Sequence, residues 1–162
     1  ETPKYLHSRL AKARTFIPSG TEVVHIRHVV YEKTDSAPAE RHGVWKELLG
    51  VYMPWMKLDG DIPVYSEGEG WQRQLHIYQS PFYYSDYCRG QTGALGSGAR
   101  LQKDRKEAWE RYMAYTRQGG SEVFTTLLKN AGLESPFDEN CLRTVCETAK
   151  SWLDHYDLTG IE

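Results

Sequence analysis

The chain has 162 residues, about one domain's worth, with an ordinary globular share of 40% hydrophobic and 26% charged residues. Its formal net charge of −2 argues against a broad phosphate-binding surface, so we expect no nucleic-acid partner. No apolar run approaches the roughly 20 residues of a membrane span, no signal peptide opens the chain, and its three cysteines cannot all pair, which together predict a cytoplasmic protein without membrane contacts.

Helical periodicity dominates the first thirty residues. Thr2 and Pro3 predict a helix start, because threonine is a common N-cap and proline is favoured at the first helical position. The run 18–20, Pro-Ser-Gly, predicts the end of that helix. Thr21 is then predicted to cap a second helix that extends to about Tyr31.

A third helix and a long loop follow. Residues 33–38 are predicted to form a polar turn, after which Val44, Leu48 and Val51 recur at helical spacing as one apolar stripe. The pattern lapses from 54 to 70, where glycines and a proline cluster, and this predicts one long irregular loop.

The second half of the chain is predicted to be helical again, with a capping residue before each helix. Helical spacing resumes at Trp71, and Gly119–Gly120 and Gly132 are predicted to end helices. The predicted caps are Ser80 with Pro81, Asp104, Ser121, and Ser135 with Pro136. The sequence therefore predicts an all-α fold of six or seven helices, forming a single helical unit over residues 1–162.

Two motifs raise specific alternatives. Glu22, His25 and His28 share a helical face, as metal ligands of helical bundles do, but no second Glu-x-x-His is present, and partly exposed structural histidines are the favoured interpretation. The stretch 90–99 contains Gly-x-x-Gly-x-Gly, yet a tyrosine-rich helix precedes it where a phosphate-binding loop needs a buried strand. We therefore expect its glycines to allow close approach of a neighbouring helix.

The stretch 71–87 contains six aromatic rings besides His76. On a helix that starts at Pro81, Tyr83 and Tyr87 lie four residues apart and share a face. Each buried tyrosine needs a hydrogen-bond partner, so the cluster is either a packed aromatic core or a binding face with free hydroxyls. The residues by themselves leave both interpretations open.

The chain resembles a known family, the oligoendopeptidase F group of the M3 zinc metallopeptidases. The resemblance is to the C-terminal part of those proteins. The resemblance covers about residues 5–142. It rests on motifs found in order at 16–20 (Phe-Ile-Pro-x-Gly), 28–32 (His-x-Val-Tyr-Glu), 39–41 (Ala-Glu-Arg), 45–48 (Trp-x-x-Leu), 54–55 (Pro-Trp), 71–78 (Trp-Gln-Arg-Gln-x-His-Ile-Tyr), 81–87 (Pro-Phe-Tyr-Tyr-x-Asp-Tyr), 108–112 (Ala-Trp-x-x-Tyr), 119–121 (Gly-Gly-Ser) and 135–137 (Ser-Pro-Phe).

The resemblance implies that the chain is the helical C-terminal segment of a larger, two-lobed zinc metalloendopeptidase that hydrolyses oligopeptides. The family binds its zinc through His-Glu-x-x-His, which is absent here. Zinc is thus expected in the full-length enzyme and none bound by this segment, which is expected to be inactive alone.

The resemblance also implies residue roles. His76 is expected to be a catalytic donor, with Tyr83 and Tyr87 as catalytic phenols, whereas Tyr78 and Tyr84 are expected to bind substrate. The expected partners are an oligopeptide substrate and the missing N-terminal part of the enzyme. Without that part, apolar residues of the cleft face, among them Trp55, Trp71 and Tyr83, are expected to be exposed and to drive self-association. Two alternatives remain: a stand-alone helical module that binds peptides or proteins, and a peptidase homologue that binds peptides without cutting them.

Overall fold

The structure, a computed structural model, describes residues 2–58, 60 and 62–159. Within these ranges it contains seven α-helices, one 3-10 helix and no strand, which confirms the all-α prediction. The helices are α1 (Thr2–Glu32), α2 (Pro38–Tyr52), α3 (Leu75–Gln79), α4 (Tyr84–Lys103), α5 (Arg105–Arg117), α6 (Phe124–Asn130) and α7 (Glu139–Asp154), and the 3-10 helix is Glu69–Arg73. The long irregular stretch lies between α2 and the 3-10 helix, close to the predicted 54–70; its residues 59 and 61 lie outside the described part.

The chain divides into two compact units. The central unit is Thr15–Cys88, and the terminal unit consists of the residues up to Arg14 and from Arg89 onward. Both boundaries fall inside helices, α1 and α4. The prediction of a single unit over residues 1–162 stays a prediction.

The predicted break at Pro18–Gly20 is wrong, because α1 continues through Pro18. A proline inside a helix costs about 3 kcal/mol, since it removes one hydrogen bond and crowds the preceding turn. Burial of Val23 and Ile26 in the turns that follow offsets this cost. Gly20 is buried rather than capping: a Cβ there would overlap the Cys88 Sγ, so the glycine allows close packing.

The central unit is built around Ile26, Leu48 and Trp71, which form one buried cluster. The apolar stripe predicted on α2 is correct for Leu48 but wrong for Val51, which is 70% exposed. In the last turn of α2 the core contact is made by Tyr52 instead. The expectation that Trp71 is exposed is also wrong, because it is 6% exposed in this core.

Of the four caps predicted in the second half of the chain, one is correct and three are displaced. Asp104 caps α5 by accepting hydrogen bonds from the Lys106 and Glu107 backbone N–H groups. The helix predicted at Ser80–Pro81 begins only at Tyr84. The Ser121 cap is replaced by Val123, and the Ser135 cap by Asp138, whose side chain accepts from the Asn140 N–H.

The close helix approach that the sequence predicts for the four glycines of α4 is correct only for Gly96, where a Cβ would lie 3.6 Å from the Val145 side chain of α7. A Cβ added at Gly90, Gly93 or Gly98 would meet nothing within 4 Å. They instead border an apolar cavity of about 480 Å³ in the terminal unit, lined on the other side by aromatic residues such as Trp109 and Phe124. Small side chains on α4 therefore leave space rather than fill it.

Candidate functional site

His76 and three tyrosines form a continuous aromatic cluster in the central unit. The centroids of the His76 and Tyr83 rings lie 6.2 Å apart, and the two rings are parallel. It meets Tyr84 edge-on at 5.3 Å and Tyr87 edge-on at 5.6 Å. Tyr87 also contacts both Tyr83 and Tyr84 at 5.4 Å. The structure thus brings together four of the five residues that the sequence analysis assigned to the site.

The turn at Phe82 places Tyr83 beside His76. Phe82 has a φ of 58°, an uncommon conformation for a bulky residue, which persists only where packing holds it. Its ring lies 4.8 Å from His28 and 5.4 Å from Tyr31, both on α1. This turn separates α3 from α4. The helix predicted to start at Pro81 therefore begins only after the turn. Sequence reasoning did not single out Phe82, because its role depends on contacts with α1.

The cluster is a surface feature and not a packed core. Tyr83 is 50% exposed and Tyr87 is 42% exposed. The Tyr87 hydroxyl lies 3.4 Å from the His76 Nε2, at the long end of hydrogen-bond geometry. Two phenols and an imidazole therefore present polar atoms at one accessible place. Of the two interpretations left open by the sequence, this arrangement favours the binding face.

Burial raises the pKa of two tyrosines of the cluster. Desolvation raises the pKa of Tyr84, with a further contribution from Cys88. The pKa of Tyr87 is raised as well, by desolvation first and then by the neighbouring Tyr83. A phenol with a raised pKa stays neutral near pH 7 and keeps an O–H that can donate to an anion.

Tyr78 has a different environment from the other tyrosines. Its ring stacks on Trp71 with the ring centroids 5.9 Å apart. Desolvation raises the pKa of Tyr78, and the nearby Arg41 offsets part of that increase. Tyr78 is 56% exposed and borders a separate small cavity with Arg27. Tyr78 and Tyr84, both expected to bind substrate, therefore belong to the same sequence motif, but their rings are not in contact.

The described residues do not fit a zinc site. No group of three or more His, Cys, Asp or Glu side chains lies together there in a way that could hold a metal ion. Glu22 is completely buried, whereas His25 and His28 are exposed. His25 Nδ1 lies 3.0 Å from the Tyr52 hydroxyl, and His28 packs on Phe82. These contacts agree with the structural interpretation of both histidines.

None of the described helices is both long and apolar enough for a membrane span.

Comparison with solved structures identifies the class of protein that this chain resembles. An X-ray structure assigned as oligoendopeptidase F is 42% identical with a TM-score of 0.87, over 95% of this chain and 27% of that one. PZ peptidase A, solved with an inhibitor, is 40% identical with a TM-score of 0.87, over 95% and 27%. A crystal structure assigned as oligoendopeptidase F from Bacillus anthracis str. Ames is 35% identical with a TM-score of 0.73, over 95% and 24%.

These matches confirm the resemblance to oligoendopeptidase F in both sequence and fold. The chain spans about a quarter of the length of these relatives. No family model and no curated protein matches the chain.

Proposed function

We propose that this chain is the C-terminal segment of a zinc-dependent M3-family oligoendopeptidase and supplies donor groups to the active site of that enzyme. The observation that carries the proposal is the exposed cluster of His76, Tyr83 and Tyr87, in a segment that resembles oligoendopeptidase F over nearly its whole length. Tyr84, half-buried at the base of the cluster, would position these rings and contact substrate.

The chemistry proposed for these residues is stabilisation of negative charge. Attack on a peptide carbonyl converts its oxygen into an oxyanion, and preorganised O–H and N–H donors stabilise that charge as it develops. Tyr83 and Tyr87 each offer a phenol O–H, and His76 offers a ring nitrogen. The Tyr87–His76 contact would orient both rings before substrate binds, and the hydrogen shared between them would turn to the oxyanion as its charge develops.

The zinc that the resemblance implies would be held by residues outside this chain, so the isolated chain is proposed to lack peptidase activity. The coding sequence upstream of residue 1 tests this directly. It is expected to encode His-Glu-x-x-His. An upstream sequence without that motif would favour the second candidate, a helical module that binds peptides without cutting them, for which the same exposed cluster would be the binding face.

Kinetics of the enzyme that contains this chain test the donor role. Tyr87→Phe and Tyr83→Phe each remove one hydroxyl and keep the ring, so packing should survive. We expect kcat on a short quenched-fluorescence peptide to fall by roughly 10²–10³-fold with little change in KM, because the lost bond strengthens only as charge develops. His76→Ala should cause a similar loss and leave the zinc content unchanged.

Tyr5→Phe is the matched control, since Tyr5 is exposed on α1 and lies outside the cluster. It should leave kcat unchanged. If the cluster only supports the fold, Tyr83→Phe and Tyr87→Phe would lower the melting temperature and leave turnover near normal. That result would contradict the donor role.

A further inference from the structure

A second polar site lies in the central unit, in a cavity of about 120 Å³. Three side chains on its wall carry hydrogen-bond donors that have no partner. Arg27 is 2% exposed, and none of its three guanidinium nitrogens is hydrogen-bonded. The Arg41 Nε and the Trp71 Nε1 are also buried without a partner. Buried donors are nearly always satisfied in native proteins, so this concentration calls for a missing acceptor.

No acidic residue of the described chain supplies that acceptor. The cavity lining contains neither aspartate nor glutamate. Glu22 precedes Arg27 by five residues on α1, about 140° around the helix, and neither of its oxygens has a hydrogen-bond partner. Arg27 lies over the Phe82 ring at 5.9 Å, which compensates for only part of the desolvation of its charge. Burial accordingly lowers the pKa of the Arg27 guanidinium.

The shape and walls of the cavity restrict the anion. At about 30 Å³ per water molecule, the space corresponds to a group of only a few heavy atoms. Ile26, Val30 and Ile77 form apolar walls that would not replace the hydration shell of a phosphate. A carboxylate has two oxygens in one plane, which matches the fork of a guanidinium, and it can be carried on an apolar stem.

We propose that this cavity binds one carboxylate group, with Arg27 and Arg41 as its cationic partners and the Trp71 indole N–H as a further donor. Tyr78, exposed at the edge of the cavity, would contact the stem that carries the carboxylate. The assignment of that stem to a peptide rests on the proposed function, because Ile77 and Tyr78 directly follow His76 in α3. Binding of a carboxylate as such does not depend on that function.

Titration of this chain with four probes tests the proposal and separates the two sources of a peptide carboxylate. The probes are N-acetyl-Ala-Phe with a free C-terminus, the same peptide as its C-terminal amide, N-acetyl-Glu-Phe amide, and inorganic phosphate. Binding is followed by the melting temperature and by the tryptophan fluorescence of the chain, to which Trp71 at the cavity contributes. We expect the free acid to bind and the first amide not to bind. Binding of the glutamyl amide would also support the site and would assign the source to a side chain.

Substitution of Arg27 supplies the decisive comparison. Arg27→Gln should weaken binding of the free acid by roughly 10–100-fold, the usual effect of losing hydrogen bonds to a charged group. The substitution removes a buried cation without a partner. The Arg27→Gln variant should therefore also melt at a higher temperature than the unaltered chain in buffer free of carboxylates. Arg105→Gln makes the same charge change at an exposed position and should alter neither property.

Three results would overturn the proposal: no probe with a carboxylate raises the melting temperature, phosphate binds more tightly than the free acid, or Arg27→Gln binds as the unaltered chain does. If Arg27→Gln does not fold, Arg41→Gln replaces it in the binding comparison, where it should also weaken binding of the free acid. None of these results bears on the upstream zinc motif or on the kinetics of the tyrosine variants, so failure of this site and failure of the proposed function are distinguishable.

Discussion

At the scale of single residues, Glu22 links burial to pH. It is completely buried on α1, and neither carboxylate oxygen has a hydrogen-bond partner. Desolvation raises its pKa from 4.5 to about 7. The folded chain therefore keeps a proton on Glu22 over a pH range in which the unfolded chain has already released it.

This shift predicts that the free energy of unfolding falls as pH rises from about 4.5 to about 7. In that window the folded state binds more protons than the unfolded state, so higher pH favours unfolding; below it the contribution of Glu22 is fully retained. Glu22→Gln removes the titration. Its stability relative to the unaltered chain should rise across the window and level off near pH 7, at a difference of roughly 3 kcal/mol.

Urea melts at several pH values measure this difference. Glu47→Gln is the control, because Glu47 is exposed on α2. A Glu22→Gln advantage that is independent of pH would show that the carboxyl titrates normally, and it would contradict the burial argument.

At the scale of helices, the starts of α5 and α6 separate a residue type that commonly caps helices from a residue that makes a capping hydrogen bond. The Asp104 side chain accepts hydrogen bonds at 2.9 and 3.0 Å from the first turn of α5. Asp104→Ala should lower the free energy of unfolding by about 1 kcal/mol. Ser121→Ala should change it little, because the cap of α6 is Val123 and not Ser121. Equal effects of the two substitutions in thermal melts would contradict the observed start of α6.

The glycines provide a second test at this scale. Gly93 lies inside α4 with open space around it, so Gly93→Ala should stabilise the chain by about 0.5–1 kcal/mol through helix propensity. Gly20→Ala should destabilise it, because the added methyl group would overlap the Cys88 Sγ. Chemical denaturation of both variants measures the contrast. A loss of stability in Gly93→Ala would mean that the cavity beside α4 is filled.

At the scale of the whole chain, we expect exposed aromatic side chains to drive self-association. Trp55 is 57% exposed and Tyr83 is 50% exposed, as the sequence predicts, whereas Trp71 is buried. Exposed apolar patches drive association in water. We therefore expect the isolated chain to self-associate as its concentration rises, with Trp55→Ser weakening that association.

Sedimentation velocity over a wide concentration range checks this expectation, together with binding of a hydrophobic dye. Trp109→Ser is a useful comparison, because Trp109 is equally exposed at 57% but lies in the terminal unit. A monomer at the highest concentration without dye binding would contradict the prediction.

The sequence by itself determined the all-α fold, the cap of α5, the ends of α5 and α6, and the position of His76 and its tyrosines along the chain. These features follow from interactions between near neighbours. Asp104 caps the turn that it precedes, and Gly119, Gly120 and Gly132 adopt the left-handed φ values that end helices. The motif at 71–87 needs only one turn to bring its rings together, so its residues could be named before their geometry was known.

Only the tertiary structure decided the features that depend on residues distant in the sequence. Packing around Gly20 and Ile26 carries α1 through Pro18, and the contacts of Phe82 with α1 hold the turn that places Tyr83. Arg27 reads in the sequence as one more polar residue on a helix. Its burial beside Arg41 and Trp71 comes from the approach of four separate segments, and no local pattern encodes the resulting set of donors without acceptors.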